Sequence, residues 1–144
     1  MRLASLLTVA ALAIAPSAFG ADKPGFSVVV NTESKLAKIS DDDLARIFLG
    51  KKTLWEDSGN RVQPALLEEE LPVAQGFLEG ALKKSVSQYR AYWKRLLFSG
   101  GGSAPRTFKN STQVIEFVAR QPGAIGIVES GAADARVKVV EVTN

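Results

Sequence analysis

Ile47-Phe48-Leu49-Gly50-Lys51-Lys52-Thr53-Leu54-Trp55 is the stretch on which the fold turns. Ser40, upstream of it, is placed as a helix N-cap, and Asp43 three positions on fits a capping box. Beyond Ser40, the apolar positions Leu44, Ile47 and Phe48 fall on one helical face. Gly50 then stands where helices commonly end in a left-handed residue, a conformation that costs glycine little. The spacing predicts a short helix over 40–49 with both ends marked. Lys51 to Arg61 follows as a charged, turn-rich loop containing Asp57, Ser58, Gly59 and Asn60, with Trp55 as its packing plug.

The same kind of reading orders the rest. Phe26 to Val30 is a β-branched run ending at Asn31 and predicts a buried strand. Thr32 to Ile39 reads as a polar connection. Val62 to Leu67 predicts a second strand, with Pro64 placing it at an edge or bending it. Leu71 to Leu82 has apolar residues at a helical period, and Pro72 suits its first turn. Ser85 caps a further helix, Val86 to Phe98, and Gly100 to Pro105 is a flexible connector. Ser111 or Thr112 caps a fourth helix with Val114, Ile115, Phe117 and Val118 on its apolar face. Pro122-Gly123 turns into a third strand over 124–128, and an alternating run from Val137 to Val142 makes a fourth. Strands and helices interleave, which predicts one α/β domain: a mixed sheet of about four strands flanked by helices.

Composition narrows the chemistry. The 144 residues suit one domain and contain neither Cys nor His. The fold must therefore hold without disulfides. Ser-His-Asp and Cys-His catalysis are excluded, as are the usual zinc sites. Residues 1–20 read as a secretory signal peptide: Arg2, then a short apolar run from Leu3 to Ala15, Pro16, and small residues before a cleavage point after Gly20. A membrane span needs about 20 apolar residues, more than this run provides. No Cys follows it, which excludes a lipid anchor. The formal charge of +3 is too weak and scattered for nucleic acid. The mature domain is then 21–144, exported to the periplasm.

Three motifs in order carry a resemblance: Leu44-Ala45-Arg46-Ile47-Phe48-Leu49-Gly50-Lys51 with Trp55; Tyr92-Trp93 with Phe98-Ser99-Gly100; and Val118 with Pro122-Gly123-Ala124-Ile125-Gly126. Together they resemble the second lobe of type II periplasmic binding proteins, in particular the phosphate-binding proteins of ABC importers and their short single-lobe relatives. The resemblance runs from Phe26 to about Val142 and implies a solute-binding-like protein without a cofactor. It also implies that the phosphate-gripping Ser-Gly-Thr loop of such proteins falls at about Leu71-Pro72-Val73. Neither hydroxyl is present there, Pro72 lacks an N–H, and Glu68-Glu69-Glu70 stands immediately before it. The expectation is altered or lost phosphate binding.

Glu68-Glu69-Glu70 reads first as acidic residues favouring the positive end of a helix. The alternative is a site for a cationic or amine-bearing ligand, or for an oxygen-ligated metal ion. Asp41-Asp42-Asp43 has the same helix-start explanation. Trp55 and Trp93 read as core aromatics rather than ligand-stacking ones. The basic residues on the Ser85 to Phe98 helix, Arg90 among them, read as a solvated face. Gly100-Gly101-Gly102-Ser103 follows a helix and lacks a lysine-serine pair, so it fails as a P-loop. The crevice rule for open α/β sheets points to one rim at the strand ends, with Asn31, Thr32, Glu69, Glu70, Leu71, Val73 and Gln75 as candidate ligand-binding residues.

A lone lobe leaves a ligand half exposed. Either a second molecule supplies the other wall, a second copy of the chain among the choices, or solute capture is lost. Partners consistent with this are a small molecule or ion and a membrane transporter or sensor. An accessory protein acting by protein–protein contact is the alternative function. An enzyme is disfavoured, because nothing in the sequence brings two carboxylate segments together.

Overall fold

The computed structural model describes residues 25–144; the leader predicted over 1–20 lies outside them. The elements run β1 (Phe26–Asn31), β2 (Lys38–Ser40), α1 (Asp41–Phe48), β3 (Gln63–Leu67), α2 (Pro72–Ala81), α3 (Val86–Phe98), β4 (Arg106–Phe108), α4 (Ser111–Arg120), β5 (Ala124–Glu129) and β6 (Val137–Thr143). The strands form one mixed sheet in the order β2-β6-β1-β5-β3-β4. β1 is antiparallel to both neighbours, pairing Val29 with Gly126 of β5 and with Val139 of β6. β3 lies parallel to β5 and β4, and β2 parallel to β6.

The sheet has six strands rather than about four. The two additions are its edges, each three residues long. The supposed polar connection ends in β2, where Lys38 and Ile39 pair with Glu141 and Val142. β4 forms beyond the glycine-rich connector. Runs this short carry no period of their own, and their extended form comes from the neighbour they pair with.

β3 is not an edge strand, yet Pro64 does not disturb it. The Gln63 amide donates to Gly123 O at 3.0 Å, so Gln63 bonds toward β5 and the next residue faces the other side. There β4 begins pairing only at Ala65, so no acceptor awaits the missing N–H.

Period-two alternation sends β1 side chains to two helical layers. Val29 and Asn31 face α4, while Phe26 meets Phe77 of α2 edge-to-face at 5.3 Å between ring centroids. Phe77 also meets Phe48 of α1 at 4.8 Å. The fully buried Leu44, Ile47, Leu66, Leu78, Ile125 and Ile127 complete that core. α3 closes the end of α1. Gly50 has φ +74°, and a Cβ there would lie 2.7 Å from the Trp93 ring, while the Tyr92 hydroxyl donates to Leu49 O at 2.6 Å. Trp93 is therefore a buried packing residue. Trp55 is half-buried and donates from Nε1 to Gly123 O at 2.9 Å.

Two caps differ from expectation. Ser40 Oγ accepts from the Asp43 amide, but the Asp43 carboxylate turns to Arg46 and Lys52, so half of the capping box forms. The cap of α4 is Asn110, whose side chain accepts from the Gln113 amide at 2.9 Å. Ser111 is buried and its hydroxyl instead accepts from the Glu129 amide at 2.9 Å, tying the helix start to the end of β5.

α4 lies close on β5 because Gly126 has no side chain. A Cβ there would stand 2.6 Å from Val114 Cγ1 and 2.9 Å from Val118 Cγ2, both on buried residues. Gly126→Ala is expected to lower stability by about 1–3 kcal/mol through overpacking. Urea unfolding followed by circular dichroism reads this as a lower midpoint with native secondary structure retained.

Candidate functional site

The start of α2 is the corner at which the resemblance implies an anion-gripping loop. β3 hands over to it through a bond from the Glu68 amide to Phe108 O at 2.9 Å, which extends the β3–β4 pairing. The Leu71 amide then donates to Glu68 O at 2.9 Å, closing a tight turn. Leu71 is the N-cap residue and provides no side-chain cap, and Pro72 occupies the first helical position. Helix geometry leaves the first-turn amides without partners inside the helix. Because proline has none, Val73 and Ala74 are the donors that remain. The Gln75 side chain folds back, its Nε2 donating to Glu70 O at 3.2 Å.

Glu69 and Glu70 turn toward Arg90 on the second turn of α3. Arg90 Nη2 lies 3.4 Å from Glu69 Oε2 and bonds Glu70 Oε1 as well. Glu70 is held below the usual carboxylate range, first by its own backbone hydrogen bond and then by the Arg90 guanidinium; partial burial opposes both. Burial pushes the Tyr89 hydroxyl well above its ordinary range, and the charge of Glu69 adds to this. The ion pairs are solvent-facing and contribute little stability. They leave the corner acidic, because Glu69 and Glu70 share the single Arg90 and Glu68 adjoins them in the chain. Among the described residues no group of three His, Cys, Asp or Glu side chains is placed to hold a metal ion.

Asn31 and Thr32 are not part of this corner. β1 runs antiparallel to β5, and β5 runs parallel to β3. The C-terminal ends of β1 and β3 therefore lie at opposite ends of the sheet. The single rim expected to collect Asn31, Thr32, Glu69, Glu70, Leu71, Val73 and Gln75 does not exist as one edge; the crevice rule presumes strands running the same way. Asn31 is 3% exposed. Its Nδ2 donates to Val118 O at 2.9 Å and Ala119 O at 3.1 Å, and its Oδ1 accepts from the Glu33 amide at 2.9 Å. It serves the last carbonyls of α4, while Thr32 beside it is exposed. Arg90, which the sequence assigns to a solvated face, is the residue that joins Glu69 and Glu70; the twenty or so positions between them carry no local signal of that contact.

No protein-family model and no curated relative matches the chain. Solved structures do. An ABC-type phosphate transport receptor from Vibrio cholerae superposes with a TM-score of 0.64 at 18% identity, covering 82% of this chain and 46% of that one. A phosphate-bound Clostridium perfringens protein described as a phosphate ABC transporter substrate-binding protein gives 0.67 at 15% identity, covering 82% and 44%. PstS from Borrelia burgdorferi gives 0.60 at 16% identity, covering 83% and 47%. The likeness shows that this chain has the fold of part of such proteins. It spans less than half the length of each of these three.

Two outcomes test this geometry. Asn31→Ala removes the partner of two helix-end carbonyls and is expected to lower the unfolding free energy by about 1–3 kcal/mol in urea titration, as buried acceptors left unpaired do. A depressed carboxyl pKa favours the folded state above the unfolded value, and that contribution is lost as pH falls through the folded value. Arg90→Gln removes one of the two groups holding Glu70 down. NMR titration of the Glu70 carboxyl carbon should then show its midpoint moving up.

Proposed function

We propose that the chain is an exported, single-lobe solute-binding-like protein in which the anion-gripping corner of phosphate-binding lobes has been rewritten, so that phosphate is not held at the start of α2. One observation carries this. Pro72 and the paired Glu69 and Glu70 stand at the start of α2, where the resemblance implies the anion-gripping amides. A phosphate oxygen about 4 Å from an uncompensated carboxylate meets a repulsion on the order of 4 kcal/mol at a surface dielectric. A charge-assisted hydrogen bond returns roughly 1.5–3 kcal/mol. Two remaining amides return about 3–6 kcal/mol together, and one such repulsion cancels most of that grip.

The leader over 1–20 directs the chain to the periplasm, and its role there is binding rather than catalysis. The likeness to phosphate transport receptors supports a membrane transporter or sensor as partner, with a second molecule completing the open face of the lobe. The alternative, an accessory protein acting through contact alone, draws support from Leu97 and Phe98 at the end of α3, which are 53% and 82% exposed.

Titration of the 15N-labelled protein with inorganic phosphate tests the proposal at the atoms concerned. The Val73 and Ala74 amide resonances are expected to stay in place through millimolar phosphate. A saturable shift of both would overturn it.

A further inference from the structure

The geometry points to a second, unassigned site: a cleft at the N-terminal ends of β3 and β4 that takes a small organic anion bearing two separated acidic groups. It lies at the other end of β3 from the acidic corner, and its charge is opposite.

The cleft has a volume of about 380 Å³, within the usual range for small-molecule sites. Three cationic side chains line it, Lys52, Arg61 and Arg106, and no carboxylate does. Lys52 is already matched, with Nζ 3.5 Å from Asp43 and 3.3 Å from Glu56. The two arginines are not. Among the described residues, Arg61 has no ion pair and no side-chain hydrogen bond, although backbone pairing with Leu54 holds its segment in place. Arg106 sits over the Phe117 ring, 5.5 Å from its centroid, and likewise has no carboxylate partner. A guanidinium stacked on a ring keeps its N–H edge free for a carboxylate or phosphate.

The third wall supplies neutral donors. Gly102 and Ser103 border the cleft, and among the described residues their amides have no acceptor. Gly102 has φ +110°, a conformation that a side chain would strain. Two guanidinium forks without an ion pair, together with these amides, give the cleft an excess of donors.

Size and spacing set the ligand class. The volume equals more than ten liquid-water volumes of about 30 Å³ each, more than a simple inorganic ion requires. Arg106 pairs with Ala65 in the register of β3 and β4, four positions after Arg61. The two side chains thus reach the cleft from separate segments, one before β3 and one at the start of β4. That separation suits two acidic groups held apart, with a carbon body against Phe117 and Pro64.

The test uses 15N-labelled protein titrated with glutarate and citrate at constant ionic strength, with inorganic phosphate as the compact control. Saturable amide shifts are expected at Thr53, Gln63, Gly102 and Ser103, with both carboxylates binding more tightly than phosphate. Arg61→Gln and Arg106→Gln should each weaken binding about tenfold, the loss of one charge-assisted contact. Both side chains are exposed, so folding is expected to survive, and an unchanged thermal midpoint verifies this. Lys83→Gln, a remote cation, should leave binding unchanged. Absence of saturable shifts, survival of binding in the Arg61→Gln/Arg106→Gln double variant, or equal loss in Lys83→Gln would overturn the site. Equal affinity for phosphate would overturn the assignment of two separated groups. The readout lies far from Val73 and Ala74, so it succeeds or fails independently of the phosphate titration there.

Discussion

The close approach of Gly123 to the backbone of Arg61 is the contact on which the layout depends. A Cβ at Gly123 would stand 2.2 Å from Arg61 O, so any other residue would push the two segments apart. The Gly123 carbonyl accepts from the Gln63 amide and from Trp55 Nε1. One peptide group thus starts the β3–β5 ladder and fastens the loop after α1. Register in the centre of the sheet follows from it, and so does the position of Arg61 at the mouth of the cationic cleft. The same Pro122-Gly123 pair also ends the α4 segment and begins β5, so both helical layers are referenced to this point.

Charge is distributed along β3 rather than averaged over the surface. Its C-terminal end leads into Glu68, Glu69 and Glu70, and among the described residues Arg90 is the one cation that pairs with them, at Glu69 and Glu70. Its N-terminal end lies between Arg61 and, across the β4 register, Arg106. The net charge of +3 conceals this polarity. A scaffold whose solved neighbours include phosphate receptors has its acid where those proteins' resemblance predicts an anion grip, and carries cations at the opposite end. On the proposed reading, fold and ligand preference separate here through a few loop residues, as they do on other widely used scaffolds.

The fold was largely legible in the sequence because its main elements carry strong local signals. Ser40 and Gly50 mark α1, Ser85 caps α3, and Pro72 opens α2. What escaped depends on partners far along the chain. β2 and β4 are extended because β6 and β3 pair with them. Ser111 is drawn away from capping by Glu129, leaving Asn110 to cap α4. The site was less legible for the same reason. Asn31 has the residue type of a ligand contact, but tertiary structure gives it to the end of α4. A rule built for parallel strands could not place Asn31 and Glu69 correctly without knowing that β1 runs the other way.

That β1 lies between β5 and β6 bears on when the molecule can acquire its shape. The earliest described strand hydrogen-bonds only to strands that begin about a hundred positions later. Loop closure over such a distance must precede any reward from pairing. A nascent chain therefore holds Val28, Val29 and Val30 without a strand partner until residues 124–129 have been made, and with one side of β1 unpaired until residues 137–143 follow. Helices α1 to α4 can flicker into existence on the way, but the sheet closes only once β6 is available to β1.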